Sequence, residues 1–361
     1  MKILILNWRC IKNPDMGGSE IYFYELAKRW VKWGNEVTWF SPMFKNCLKE
    51  EKVDGIKFIR RGNKYSVYVS AFLDYITKLD KDFDVIIDVE NGIPFFSPLY
   101  IKNKKIFLHI HHIHKDVWFK QMPFPFSFIG FILENNVMPL FYKKKQIITL
   151  SKSSYNEIIK NKISKFEPKI VNPGIEFYKH KKVQKSKNPT ILFLNRIKKY
   201  KGIDTFLRAA KELKEKDIEF WVVGDGDYLE KSKNYVKNKE LNNVTFFGKV
   251  SEDKKKELMQ KAWIFVNPSY KEGWGIVNIE ANYFGVPVIG SNVAGIKDSV
   301  IDGKTGLLFE YGNYKSLVEK IDYLINNKKE LNSFSKNARK WAINFDWDKK
   351  AGEYLNILKF T

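Results

Sequence analysis

Two glutamates frame the segment Pro268-Ser269-Tyr270-Lys271-Glu272-Gly273-Trp274-Gly275-Ile276-Val277-Asn278-Ile279-Glu280-Ala281. An ionised carboxylate only accepts hydrogen bonds, so each can hold a pair of vicinal sugar hydroxyls. Gly273 and Gly275 carry no Cβ, and amides at a helix start are open to a phosphate. Two glutamates at this separation are common by chance. With Gly-Trp-Gly between them and Gly285-Val286-Pro287-Val288-Ile289-Gly290 following, chance becomes a poor explanation. Upstream, Asn195-Arg196-Ile197 precedes Lys198-Lys199-Tyr200-Lys201-Gly202. A guanidinium at a strand end and an ammonium before a helix can clamp a diphosphate, the first by paired contacts and the second as a point charge. Taken alone, that segment reads more readily as a solvated basic loop.

Gly17-Gly18-Ser19-Glu20 opens a helix after a strand-like run, and paired glycines let a backbone approach a ligand closely. The spacing is not that of a dinucleotide fingerprint, which sets a nicotinamide site aside. Leu108-His109-Ile110-His111-His112-Ile113-His114 holds four of the five histidines and suggests zinc. On a strand, however, His109 and His111 share one face, whereas His112 and His114 lie on the other side or in the loop. No nearby carboxylate or cysteine supplies an obvious tetrahedral set, so no metal site is expected.

These residues need a scaffold, and strand-like and helix-like segments alternate along the whole chain, as in a parallel sheet with helical crossovers. Strands are expected near Lys2–Asn7, Glu36–Ser41, Asp84–Val89, Lys105–His111 and Gln146–Leu150. The clearest helix is Ser19–Trp33, with Tyr24, Ala27 and Val31 at helical spacing and Gly34 as its cap. A second series follows: Ile191–Leu194, Ile218–Val223, Val244–Phe247, Trp263–Val266 and Val286–Ile289. Residues beyond Asn313 read as mostly helical. The break lies near Asn172-Pro173-Gly174 and the lysine-rich Lys179–Pro189. The expected organisation is α/β: two doubly wound, Rossmann-like domains, 1–175 and 176–340, facing across a cleft. A C-terminal helix in 341–361 packs back towards the first domain.

The 361 residues and 44% hydrophobic content support two cores. Two cysteines, Cys10 and Cys47, cannot build a disulfide framework and fit a reducing cytoplasm. The longest uncharged stretch, Gln121 to Leu133, is short of the ~20 residues a membrane span needs. A net charge of +22 favours polyanionic partners, although dispersed lysines read equally well as a solvated surface.

Taken together, these segments resemble the retaining glycosyltransferases of family 4, which have the GT-B architecture. The likeness is carried by the early Gly-Gly, the Arg…Lys-Gly segment, Val223-Gly224-Asp225-Gly226, Phe247-Gly248-Lys249-Val250, the paired glutamates and Asp302-Gly303-Lys304-Thr305-Gly306, all in matching order. It implies that Arg196 and Lys201 neutralise a leaving diphosphate, Glu272 holds hydroxyls of the transferred sugar, and Glu280 holds the ribose. Gly224, Val250, Gly273, Trp274, Gly275 and Ile276 then line the donor, and the Gly17 and Gly18 amides approach its distal phosphate. It also implies one histidine near the donor sugar: His111, with His109 and His114 as register alternatives. Asn195 stands where a glycine is commoner, and Asn292-Val293-Ala294-Gly295 replaces a more usual Gly-Gly, which bears on the sugar more than on the reaction.

Transfer from a nucleoside diphosphate develops negative charge on the leaving oxygen, which preorganised cations stabilise. No Asp-x-Asp pair stands where a metal-dependent transferase would use it. Asp225 and Asp227 lie in a strand-end loop that the resemblance assigns to the nucleotide side. The expectation is metal-independent, retaining transfer from a UDP- or GDP-sugar to a hydroxyl acceptor, without a cofactor. Val117–Lys145 combines Trp118, Phe119, Phe124, Phe126, Phe128, Phe131, Phe141 and Tyr142 with Lys143-Lys144-Lys145. Aromatic bulk beside cations suits a helix lying on an anionic bilayer, which points to a lipid-linked or cell-surface glycan precursor and a place on the inner face of the membrane. Filling of the first core or lining of an acceptor groove is the alternative. A nucleotide-sugar 2-epimerase and a basic nucleic-acid-binding protein are the rival functions, the latter without any recognised nucleic-acid motif.

Overall fold

The run Lys2-Ile-Leu-Ile-Leu6 forms β1 and is buried from Ile3 onward, as a strand covered on both faces must be. The computed structural model describes residues 1–79, 82–115, 118–119, 122–178 and 183–361. Part of the expected linker (179–182) and Val117, Lys120 and Gln121 of the aromatic segment lie outside these. Two units emerge: Met1–Gly174 with Trp347–Thr361, and Ile175–Asp346.

In the first unit, β1 leads to α1 (Gly18–Lys32), whose N-terminus is closed by Glu20 Oε2 accepting from the Gly17 amide at 2.5 Å. The helix expected over Ser19–Trp33 is present, and of Tyr24, Ala27 and Val31 only Ala27 is fully buried. The helix buries Tyr22, Phe23, Leu26, Ala27 and Trp30, because both the sheet and a C-terminal helix cover it. Gly34 follows the helix at φ +82°, as the cap requires. The remaining strands are β2 (Glu36–Ser41), β3 (Glu50–Val53), β4 (Ile56–Arg60), β5 (Val85–Glu90), β6 (Lys105–Ile110), β7 (Gln146–Thr149) and β8 (Lys169–Ile170). The helices are α2 (Val67–Thr77), α3 (Phe126–Ile132), α4 (Met138–Tyr142) and α5 (Lys152–Lys160). A π-helical turn, Leu133–Val137, joins α3 to α4.

The sheet order is β3-β4-β2-β1-β5-β6-β7-β8, and its pairs are parallel except for β3 with β4. The chain winds outward from β1 through β2 to the β3–β4 hairpin, then returns to β5 on the other side. That reversal, between β1 and β5, is where open α/β sheets place ligands, outside the carboxyl ends of the strands.

The second unit contains β9 (Thr190–Leu194), α6 (Ile203–Glu212), β10 (Glu219–Val223), α7 (Leu229–Asn238), β11 (Val244–Gly248), α8 (Glu252–Lys261), β12 (Ile264–Asn267), α9 (Ile276–Tyr283), β13 (Val288–Ser291), α10 (Ile296–Ser299), β14 (Gly306–Phe309), α11 (Tyr314–Asn326) and α12 (Lys328–Ala342). The sheet is parallel in the order β11-β10-β9-β12-β13-β14, reversing between β9 and β12.

The last helix, α13 (Trp347–Phe360), belongs to the first unit. It packs on α1, where Trp30 Nε1 donates to the Ala351 carbonyl at 3.0 Å and Trp30 and Tyr354 set their rings 5.4 Å apart.

Candidate active site

In the second unit the switch point between β9 and β12 gathers the basic and acidic residues that the sequence singled out. β9 ends at Leu194, which places Asn195 and Arg196 in the loop beyond it; Arg196 is exposed. A short 3₁₀ turn, Lys199–Lys201, carries Lys201 inward until only 9% of it is exposed. Its Nζ donates to Glu272 Oε1 at 2.6 Å, and the same oxygen accepts from Ser269 Oγ at 3.0 Å. A carboxylate so tied presents a fixed acceptor, and the ammonium beside it is held where an incoming anion could share it.

Backbone geometry allows this approach. Gly202, at φ +75°, ends the 3₁₀ turn, and a Cβ there would strike the Pro268 carbonyl. Gly295, at φ +82°, lies against the Glu272 carbonyl in the same way. Gly295→Ala adds backbone strain of about 1–3 kcal/mol and displaces Glu272. A shift near 1 Å in a positioning residue costs ~10²-fold in rate, so turnover is expected to fall much further than the melting point. Kinetics and a thermal melt on that variant check it.

The other second-unit candidates also stand at strand ends or helix starts. Gly224 follows β10 at φ +135°, where a Cβ would collide with the Asn195 carbonyl. Val250 follows β11 and is half-buried. Gly275 caps α9 at φ +81°, Ile276 begins that helix, and Gly273 precedes them. Glu280 lies within α9 and accepts from Lys255 Nζ at 3.0 Å. The Trp274 side chain is 4% exposed and packs 5.4 Å from Phe345, so its indole anchors the loop from below.

In the first unit, His111 Nε2 lies 2.7 Å from Ser19 Oγ in the first turn of α1. Asn91, just past β5, donates to Glu20 Oε1 at 3.2 Å, so the ends of β5 and β6 and the start of α1 converge. Gly18 faces open space, whereas the Gly17 amide is taken by Glu20. Burial, reinforced by the charge on His114, lowers the His111 pKa to about 3, so the imidazole is neutral at pH 7. His109 is buried beneath it against Phe23 and Tyr354, its pKa likewise depressed mainly by burial. His109 therefore serves the core, and His111 is the histidine beside the α1 start.

His114 points elsewhere, towards two carboxylates. Its Nδ1 lies 3.5 Å from Glu90 Oε1 and 3.4 Å from Glu134 Oε1. The fold thus supplies two buried carboxylates that sequence proximity did not reveal. Burial raises the Glu90 pKa to about 7. Burial alone would lower that of His114, but Glu134 and Glu90 outweigh it and push it up to about 9.

The family described as "Glycosyl transferases group 1" matches residues 174–341, and "Glycosyltransferase Family 4" matches residues 16–177. The chain is a glycosyltransferase of the group 1 family. An uncharacterized glycosyltransferase of Methanocaldococcus jannaschii is 26% identical over 97% of this chain and 95% of its own. Sucrose-phosphate synthase from Thermosynechococcus elongatus shares the fold with a TM-score of 0.82 at 20% identity, over 99% of this chain and 98% of its own. The Anabaena protein HepE, solved with UDP and glucose, superposes with a TM-score of 0.76 at 17% identity over 100% of both chains. The architecture is GT-B.

The glycosyltransferase's aromatic segment divides between core and surface. Tyr142 is buried and Phe141 packs on the first unit's core. Phe119, Phe124, Phe126 and Phe128 are exposed, Phe124 to 82%, together with Ile129, Ile132 and Leu140. A second exposed stripe, unsuspected from the sequence, runs along α2 as Val69, Phe72, Leu73 and Ile76. Its spacing of three, one and three residues was the available signal. No described helix is long and apolar enough to cross a membrane.

Proposed function

We propose that this glycosyltransferase moves a sugar, with retention, from a UDP- or GDP-sugar to a hydroxyl of a lipid-linked or cell-surface glycan precursor. The observation that carries the reading is the Lys201–Glu272 pair beside Arg196 at the β9–β12 switch point. Arg196 and Lys201 neutralise the departing diphosphate, doing the work a Mg²⁺ ion does elsewhere. Glu272 accepts from hydroxyls of the transferred sugar and Glu280 from those of the ribose. Gly224, Val250, Gly273, Trp274, Gly275 and Ile276 line the nucleotide side, mostly through backbone. Neutral His111 and the Gly17–Gly18 turn act on the donor's sugar and distal phosphate. The acceptor hydroxyl attacks the face from which the diphosphate leaves, and that phosphate takes the proton. The UDP held by HepE supports a uridine donor. The exposed aromatic face supports action at the inner surface of the cell membrane.

A panel of nucleotide sugars tests this, since a ligand that binds only the native state raises its melting point. One donor class is expected to stabilise, and free nucleotide is expected only when an acceptor is present. Isomerised donor without acceptor means the 2-epimerase reading, and salt-sensitive RNA binding with no donor stabilisation means the nucleic-acid one. Added Mg²⁺ is expected to leave turnover unchanged. Inactivation by EDTA that Mg²⁺ restores overturns the assignment of Arg196 and Lys201.

A further inference from the structure

Glu90, His114 and Glu134 come from three places: the end of β5, the loop after β6, and the π-helical turn. Their ligand atoms, one from each, all lie within 4.8 Å of one another. We propose that these three side chains bind a single transition-metal dication of the zinc type.

Geometry is the first support. Arms of about 2.0–2.2 Å in a tetrahedron hold ligand atoms ~3.3–3.6 Å apart, and His114 Nδ1 stands 3.5 and 3.4 Å from the two carboxylate oxygens. At those separations Nδ1 makes no hydrogen bond.

An orphaned group is the second support. Glu90 is 1% exposed, and its Oε2 has no hydrogen-bond partner among the described residues. A buried carboxyl oxygen left without a partner is costly, and a metal ion is one group that can meet it.

The surroundings are the third. Ligating carboxylates are usually themselves hydrogen-bonded, which fixes their aim. Gly92 N donates to Glu90 Oε1 at 2.9 Å, while Lys115 N and Trp118 Nε1 donate to Glu134 Oε2 at 2.8 and 3.1 Å. One imidazole with two carboxylates selects zinc, iron or manganese over Mg²⁺, which prefers oxygen and water. Three protein ligands leave the fourth tetrahedral position to water.

Tag-free protein, stripped with a chelator and dialysed, is titrated with Zn²⁺ by calorimetry and with Co²⁺ by visible absorption. One equivalent is expected to bind, with the strong visible bands of tetrahedral cobalt and a raised melting point. Glu90→Gln and His114→Gln are each expected to weaken binding by ~10²-fold or more. Glu134 also anchors its loop, so these two variants, checked for native circular dichroism, carry the test. No saturable binding overturns the proposal, as does binding that both folded variants retain; His114 is then an imidazolium paired with two carboxylates. Donor stabilisation, measured on the same samples, is expected to persist in both variants, which separates this site from the donor reading.

Discussion

Arg196→Ala is expected to lower turnover by roughly 10²–10³-fold, the usual cost of removing one preorganised electrostatic partner. Its stability is expected to stay within about 0.5 kcal/mol, because the side chain is exposed at a strand end. Glu272→Ala is expected to lose as much turnover and also some stability. It leaves the Lys201 ammonium, 9% exposed, without the carboxylate 2.6 Å away. Breaking a fully buried pair costs about 3–5 kcal/mol; both of these side chains keep some water, so the loss should be smaller. The pair of variants therefore separates charge at the diphosphate from integrity of the loop. Turnover near wild type in folded Arg196→Ala removes the phosphate clamp from the mechanism. Loss of activity in Glu272→Ala that merely tracks unfolding removes the sugar contact.

The alternation of apolar runs and amphipathic segments made the doubly wound class legible, and the Asn195–Gly202 and Pro268–Gly275 segments fell at the switch point of the second sheet. The β3–β4 hairpin was missed, although Asp54-Gly55, both with positive φ, is a strong hairpin-turn signal. Its strands are short, and β3 is charged on Glu50, Glu51 and Lys52, as an edge strand can be. β14 (Gly306–Phe309) escaped because it opens on a glycine, a residue depleted in strands, inside the turn-like Asp302-Gly303-Lys304-Thr305-Gly306 segment. On α1, helical spacing alone gives several equivalent faces, and only the covering sheet and α13 select one. His114, Glu90 and Glu134 were invisible as a group because three separate elements bring them together. A histidine pattern on one strand could not announce carboxylates from β5 and the π-helical turn.

Vesicles containing anionic lipid should bind the protein, and neutral ones should not. The exposed Phe124, Phe126 and Phe128 lie near Lys143 and Lys144 in sequence, and both lysines are exposed. The one carboxylate between Met122 and Lys145, Glu134, is buried and so adds no repulsion. Each lysine close to such a surface contributes on the order of 1 kcal/mol, so replacing Lys143, Lys144 and Lys145 together by Gln is expected to weaken binding by ~10²-fold. Rising salt weakens it too, since charges are screened over about 8 Å at physiological ionic strength. Two of the three phenylalanines of α3, Phe128 and Phe131, act as opposite controls. Phe128 is half-exposed, so Phe128→Ser should lose vesicle binding and keep its stability. Phe131 is partly buried, its ring 5.4 Å from that of Phe119, so Phe131→Ser should lower stability by up to about 3 kcal/mol. Flotation and a denaturant melt on both variants decide the matter. If Phe128→Ser floats like the wild type, the aromatic face serves an acceptor groove, and a soluble acceptor replaces the lipid-linked one.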